Sequence, residues 1–237
     1  MEQFGVPSNL FIILNKPQLA ENTGMAIRAM VNTGAKNLRL VAPQHGWPNK
    51  DVDLASAEKM ELVKVELFDD LSDAIQDLEL TFATSARLRD MIKCVYSPLD
   101  ATCEISSKNV LTGIVFGCEK SGLTNEEISI CNHVIEIPSV NFSSYNLAQA
   151  VLIVCYQFML SPDKKLKTGK TTIAPQVCLD NFLNELETEL TVRNHFPCER
   201  KRELMMQTVR NLFKRSTPTV QEIQSMYGVI KRLCHSD

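Results

Sequence analysis

Residues 113–160 constrain the fold more than any other part of the chain. Residues 113–116 form an apolar, strand-like run that ends in Gly117, Cys118 and Glu119, with a second glycine at Gly122. Thr124-Asn125-Glu126-Glu127 then reads as a helix start, with Thr124 as cap and Glu127 completing a capping box. Residues 134–137 form another strand-like run, closed by Pro138. A polar loop leads into a long apolar helix that opens near Ser144, a candidate N-cap. Along it Leu147, Val151, Val154 and Phe158 recur at helical spacing and are expected to face the core or a partner chain. Two strands thus end in neighbouring loops that carry glycines, a carboxylate, serines and an asparagine. In open α/β sheets, ligands sit where strand ends meet helix starts, so the candidate site falls here.

Upstream the pattern repeats. Residues 10–14 read as a buried strand broken by Pro17, and residues 21–32 as a helix stopped by Gly34. Residues 38–41 are a strand, 60–68 contain another, 71–78 suit a short helix, and 80–83 run as a strand into Thr84-Ser85-Ala86-Arg87. Strands alternating with helices predict an α/β fold: a mostly parallel sheet with helices on both faces. Residues 1–160 make up this domain. Residues 161–176, with two prolines, a glycine and four lysines, have the composition of an exposed basic linker. Within it Gly169-Lys170-Thr171 ends like a phosphate-binding loop, but Lys164 occupies the position of that motif's first glycine, and the motif is rejected. Residues 177–237 carry three helical patterns, at 177–190, 200–214 and 220–233, the last opened by Thr219 and Glu222 as a capping box. Three helices in about 60 residues make a marginal core, so this small all-α extension is expected to dock on the main domain or on a second chain.

Charge is unevenly spread. The first 160 residues hold 12 Lys+Arg against 19 Asp+Glu, which disfavours broad nucleic-acid binding by that domain. Basic residues gather instead at 164–170 and in residues 193–215, including Arg200-Lys201-Arg202 and Lys214-Arg215, where a polyanion would touch first. The eight cysteines are never closer than nine positions and the four histidines are scattered, so neither a zinc site nor another metal is expected. The acidic start, MEQFGVPSN, lacks a signal pattern and no apolar run reaches membrane-spanning length, so a cytoplasmic protein without a membrane partner is expected.

Three blocks resemble the SPOUT (trefoil-knot) RNA 2′-O-ribose methyltransferases: Pro17-x4-Asn22-x-Gly24-x3-Arg28-x5-Gly34, then Phe116-Gly117-x-Glu119-x2-Gly122-Leu123, then Ile137-Pro138 followed by Ser144-x-Asn146-Leu147-Ala148. Residues 83–87, and His195-Phe196-Pro197 with the helical tail, narrow the resemblance to its TrmJ-like branch. It implies a C-terminal trefoil knot, S-adenosylmethionine (SAM) held in that knot, a homodimer, and methylation of a ribose 2′-hydroxyl at tRNA nucleotide 32. Alternatives are another tRNA position, ribosomal RNA, or a non-catalytic RNA-binding module on the same fold. Three departures stand out: Cys118 where Arg is usual, Tyr145 where Leu is usual, and a loop at 139–143 one residue short.

On this resemblance Arg28, Asn22 and Ser144 are the catalytic candidates. An arginine is a poor proton acceptor, so Arg28 is read as holding a phosphate and stabilising a developing alkoxide. Cofactor candidates are Thr84, Ser85 and Ala86; Gly117, Glu119 and Gly122; and Ile137, Ser143, Ser144, Tyr145, Asn146 and Leu147. Turn chemistry rivals ligand contact for Gly122, and helix capping rivals it for Ser144 and Asn146. RNA-binding candidates are Lys164, Lys165, Lys167, Arg200, Lys201 and Arg202.

Overall fold

The computed structural model describes residues 5–85, 93–141, 144–160 and 173–234. Among these residues seven strands form one sheet: β1 (Leu10–Asn15), β2 (Asn37–Val41), β3 (Lys64–Phe68), β4 (Leu80–Thr84), β5 (Val95–Tyr96), β6 (Thr112–Phe116) and β7 (His133–Ile135). Their order is β3-β2-β1-β6-β4-β7-β5, and every pairing is parallel. Within β1, Ile12 and Leu14 enter one hydrophobic cluster while Ile13 enters another. Burial on both faces is why such strands read as continuous apolar runs rather than alternating ones.

One face is covered by α1 (Ala20–Thr33), α2 (Lys50–Ala55), α4 (Pro98–Lys108) and α6 (Leu147–Leu160), the other by α3 (Leu71–Ile75) and α5 (Asn125–Ser129). Gly34 ends α1 at φ 79°, its N–H returning to the carbonyls of Met30 and Val31, which satisfies carbonyls the helix leaves open. Thr124 and Glu127 form the expected capping box on α5. Two expectations shift. The strand expected at 134–137 starts at His133 and ends at Ile135, because His133 pairs with Phe82 and packs between the Phe82 and Tyr96 rings. The apolar helix opens at Leu147 rather than near Ser144, and its cap is Asn146, whose side-chain oxygen accepts from Ala148 N at 2.9 Å. β7 lies between β4 and β5. Residues 86–92, within the connection between those two strands, lie outside the described residues.

The tail contains α7 (Gln176–Val192), α8 (Glu199–Ser216) and α9 (Val220–Cys234), with Thr219 and Glu222 capping α9 reciprocally. Its own cluster centres on Phe182, which meets the rings of Phe213 and Tyr227 edge-on at 5.1 and 5.2 Å. It docks on the main domain through buried polar groups. Asn132 accepts from Thr81 N (2.7 Å), Thr81 Oγ1 (2.8 Å) and Gln176 Nε2 (2.9 Å), and donates to the Lys214 carbonyl at 2.8 Å. Lys214, grouped by sequence with the basic residues a polyanion would touch first, is not at the surface. Its ammonium is buried, paired with Asp180 at 2.8 Å, and it donates to Gln176 Oε1. Burying a charge is tolerated only with such partners.

Candidate active site

Because all strands run parallel, the loops after β1, β4, β6 and β7 meet at one edge of the sheet, and a pocket opens there. Its walls are Thr84 and Ser85 at the end of β4, Phe116 and the turn 117–123 after β6, Ile135 at the end of β7 and Ile137 after it, and Ser144, Tyr145, Leu147 and Ala150 around the start of α6.

The turn after β6 is tightly folded. Gly122 N donates to the Cys118 carbonyl at 2.9 Å, and the Cys118 thiol lies 3.1 Å from Ser121 Oγ. Gly122 adopts φ 69°. A Cβ at Gly117 would sit 2.3 Å from the Gly122 carbonyl carbon and 2.4 Å from Leu123 N, so only glycine fits where the turn closes on itself. The turn holds Glu119 against the start of α1. Its carboxylate accepts from Gln18 N (2.8 Å), Leu19 N (3.1 Å) and Asn22 Nδ2 (2.9 Å). Asn22 in turn accepts from Asn146 Nδ2 at 2.8 Å. A continuous hydrogen-bonded chain, Glu119–Asn22–Asn146, therefore joins the β6 turn, α1 and the cap of α6. Partial burial alone would raise the Glu119 carboxyl. The Asn22 amide and the backbone N–H groups around it outweigh that and hold it below the ordinary glutamate value, as an anion.

Thr84, Ser85, Gly117, Glu119, Gly122, Ile137, Ser144, Tyr145 and Leu147 line the pocket; Asn146 stands behind it as the helix cap and the link to Asn22. Thr84 Oγ1 donates to the Val115 carbonyl (3.0 Å), and the Tyr145 hydroxyl donates to the Pro138 carbonyl (2.8 Å). Ala86 and Ser143 lie outside the described residues. Asn22 is buried and does not line the pocket. Arg28 is exposed on α1, does not line the pocket and has no partner among the described residues. Of the RNA candidates, Lys164, Lys165 and Lys167 lie outside the described residues. Arg200 and Lys201 are exposed at the start of α8, whereas Arg202 is engaged by Glu199 (2.6 Å) and Glu187 (3.5 Å). Sequence reasoning missed Phe116, Cys118, Ser121, Leu123, Ile135 and Ala150 as lining residues, together with Lys120. Ala150 follows Leu147 by one helical turn, a spacing that could have flagged it. No group of metal-ligating residues occurs among the described residues, and no helix there is long and apolar enough to cross a membrane.

A parallel sheet with its pocket at the carboxyl ends of β4, β6 and β7, where the three sequence blocks are hydrogen-bonded together, points to a methylase of the SpoU class. Residues 9–156 match the SpoU rRNA Methylase family, and the chain belongs to that family. Within it the chain is similar to tRNA (cytidine/uridine-2′-O-)-methyltransferase TrmJ of Pectobacterium atrosepticum, 29% identical over 94% of this chain and 95% of that one. TrmJ of Escherichia coli O6:K15:H31 is 30% identical over 94% of each. The crystal structure of TrmJ from Z. mobilis superposes with a TM-score of 0.85 at 33% identity, covering 97% of this chain and 99% of that one.

The chain is a methyltransferase whose cofactor is SAM. The pocket fits that group. Phe116, Ile135, Ile137 and Leu147 offer apolar surface to a purine, while Ser85, Ser144 and the backbone of the glycine turn offer polar contacts. Bound there, SAM supplies an electrophilic methyl group.

Proposed function

We propose that the chain methylates the ribose 2′-hydroxyl of tRNA nucleotide 32 in the anticodon loop, as a homodimer, with residues 1–160 carrying the pocket and residues 177–237 helping to hold the tRNA. The observation that carries this reading is the Glu119–Asn22–Asn146 chain, which ties all three sequence blocks to one pocket. The tRNA substrate is supported by likeness to TrmJ proteins across 94% of the chain, tail included.

In the reaction the ribose 2′-oxygen bonds to the methyl carbon as the carbon–sulfur bond breaks, and the hydroxyl proton leaves to solvent. The protein's work is positioning and charge stabilisation. Glu119 and Asn22 fix the start of α1, which fixes the direction in which the helix carries Arg28. On α1, Glu21, Met25, Arg28 and Asn32 form one exposed stripe, and α6, packed beside α1, exposes Leu152, Tyr156 and Leu160. The exposed apolar groups of α6, with Met25 beside them on α1 and a polar margin of Glu21, Arg28 and Asn32, suit a second copy of the chain. In such a dimer Arg28 reaches the pocket of the partner subunit, where its guanidinium holds a phosphate and stabilises the developing alkoxide. The Glu119 anion stays occupied by N–H donors and takes no proton.

The test is incubation of the protein with SAM and unmodified tRNA transcripts, followed by nuclease digestion and mass spectrometry. A 2′-O-methyl group at nucleotide 32 is expected. Modification at another position would overturn the assigned nucleotide, and an RNA without any ribose methylation would overturn the reading as a whole.

A further inference from the structure

Lys120 sits at the tip of the turn after β6 and lines the pocket. Only two charged residues are found among the described lining residues, Glu119 and Lys120. Glu119 is consumed by Gln18, Leu19 and Asn22. Lys120 is exposed and has no hydrogen-bond or ion-pair partner among the described residues. Four other cations of this domain, Lys16, Arg39, Lys64 and Lys108, are each paired with a carboxylate, and Arg28, Lys36, Lys50 and Lys59, which like Lys120 have no side-chain partner among the described residues, do not line the pocket. The backbone that carries Lys120 is fixed on both sides, by the Glu119 contacts before it and by the Cys118–Gly122 bridge around it. An uncommitted cation on a rigid support at the mouth of a pocket marks where an anion arrives.

Two anions come near a ribose methylation site: the carboxylate of the cofactor and the phosphates that flank the target ribose. The second is favoured. Lys120 is exposed at the rim rather than enclosed with the apolar groups Phe116, Ile135 and Leu147. The cofactor already carries a sulfonium, and a nearby ammonium would oppose it. A backbone phosphate is carried on the 3′-oxygen of the same ribose, next to the 2′-hydroxyl, and must lie at the mouth when that hydroxyl enters. We infer that Lys120 is a substrate-binding residue that engages an RNA phosphate next to the target ribose. The inference rests on the ribose-methylation reading above and adds a residue to it.

The experiment compares the wild type with Lys120→Gln and Lys120→Arg. It measures SAM affinity by calorimetry and kcat/KM for a tRNA transcript over a series of KCl concentrations, with melting curves to verify folding. Lys120→Gln should leave SAM affinity within about twofold and lower kcat/KM about tenfold or more. It should also make the slope of log(kcat/KM) against log[KCl] shallower by about 0.7 to 0.9, the contribution of one phosphate contact. Lys120→Arg should restore most of the rate. An unchanged rate and slope, or a loss of SAM affinity with an unchanged slope, overturns the inference while the enzyme reading stands. A wild type that binds SAM but methylates no tRNA overturns that reading, and this inference with it.

Discussion

At the amino-terminal edge of the sheet, Thr81, Asn132, Gln176 and Lys214 are each at most 1% exposed and all are hydrogen-bonded, whereas at the carboxyl edge Lys120, Ser144 and Tyr145 are exposed. Strand β4 belongs to both ends, with Thr81 in the closed network and Thr84 in the pocket wall three residues later. A polar group that is buried and satisfied adds rigidity and specifies packing; one left open keeps its bonding capacity for a ligand. The amino edge therefore reads as an anchor for the tail and the carboxyl edge as a site. Substitutions should separate the two: loss of activity without loss of stability at one edge, and the reverse at the other.

The largest effect is expected at Glu119. Glu119→Ala leaves the N–H groups of Gln18 and Leu19 and the Asn22 amide without their acceptor, so α1 loses its alignment to the pocket. Methyl transfer should fall about 100-fold or more, the cost of misplacing reacting groups by about 1 Å. Tritium transfer from labelled SAM measures this, and a change within threefold would break the contrast between edges.

At the anchor, Asp180→Ala strips Lys214 of its counter-ion. Unfolding by urea should show a loss of about 2 kcal/mol, below the usual range for a broken buried pair because Asp180 is partly solvated. The folded variant should keep its SAM affinity.

His133 gives a third contrast, in pH. Burial pushes its imidazole from 6.5 down to about 4, with nearby Lys108 acting in the same direction. Between those values the unfolded chain binds a proton that the folded chain does not, so stability falls as pH drops from about 6.5 to 4, by roughly 3 kcal/mol. His133→Phe should flatten that part of the stability profile. An equally steep profile in the variant would assign the acid loss elsewhere.

The smallest effect is expected at Tyr145→Phe. Removing the hydrogen bond to the Pro138 carbonyl loosens the loop before α6 and should weaken SAM about fivefold, a typical single-bond effect. Calorimetry would sharpen the comparison, since no change would make Tyr145 only a wall of the pocket.

Much of this was legible in the sequence for local reasons. Apolar runs gave β1, β2, β4 and β6, and Gly34, Thr124 and Thr219 marked helix ends through short-range chemistry. The short edge strand β5 and helix α4 were missed: β5 is two residues long, and α4 buries only Pro98, Ala101, Thr102 and Ile105, a stripe with one large apolar residue. At the site, the family resemblance brought Glu119, Asn22 and Asn146 into one motif set, but not the bonds they make with one another. Those bonds join residues about 100 positions apart, which no local pattern reports. The burial of Lys214 was hidden for the same reason, since its partner Asp180 belongs to a different helix.

The most direct test of the carboxyl-edge pocket is a crystal structure of the protein with S-adenosylhomocysteine. The account predicts the ligand between Thr84, the Gly117–Gly122 turn and Ser144, with the Glu119–Asn22–Asn146 hydrogen bonds intact behind it. Ligand bound at any other place on the fold would contradict it.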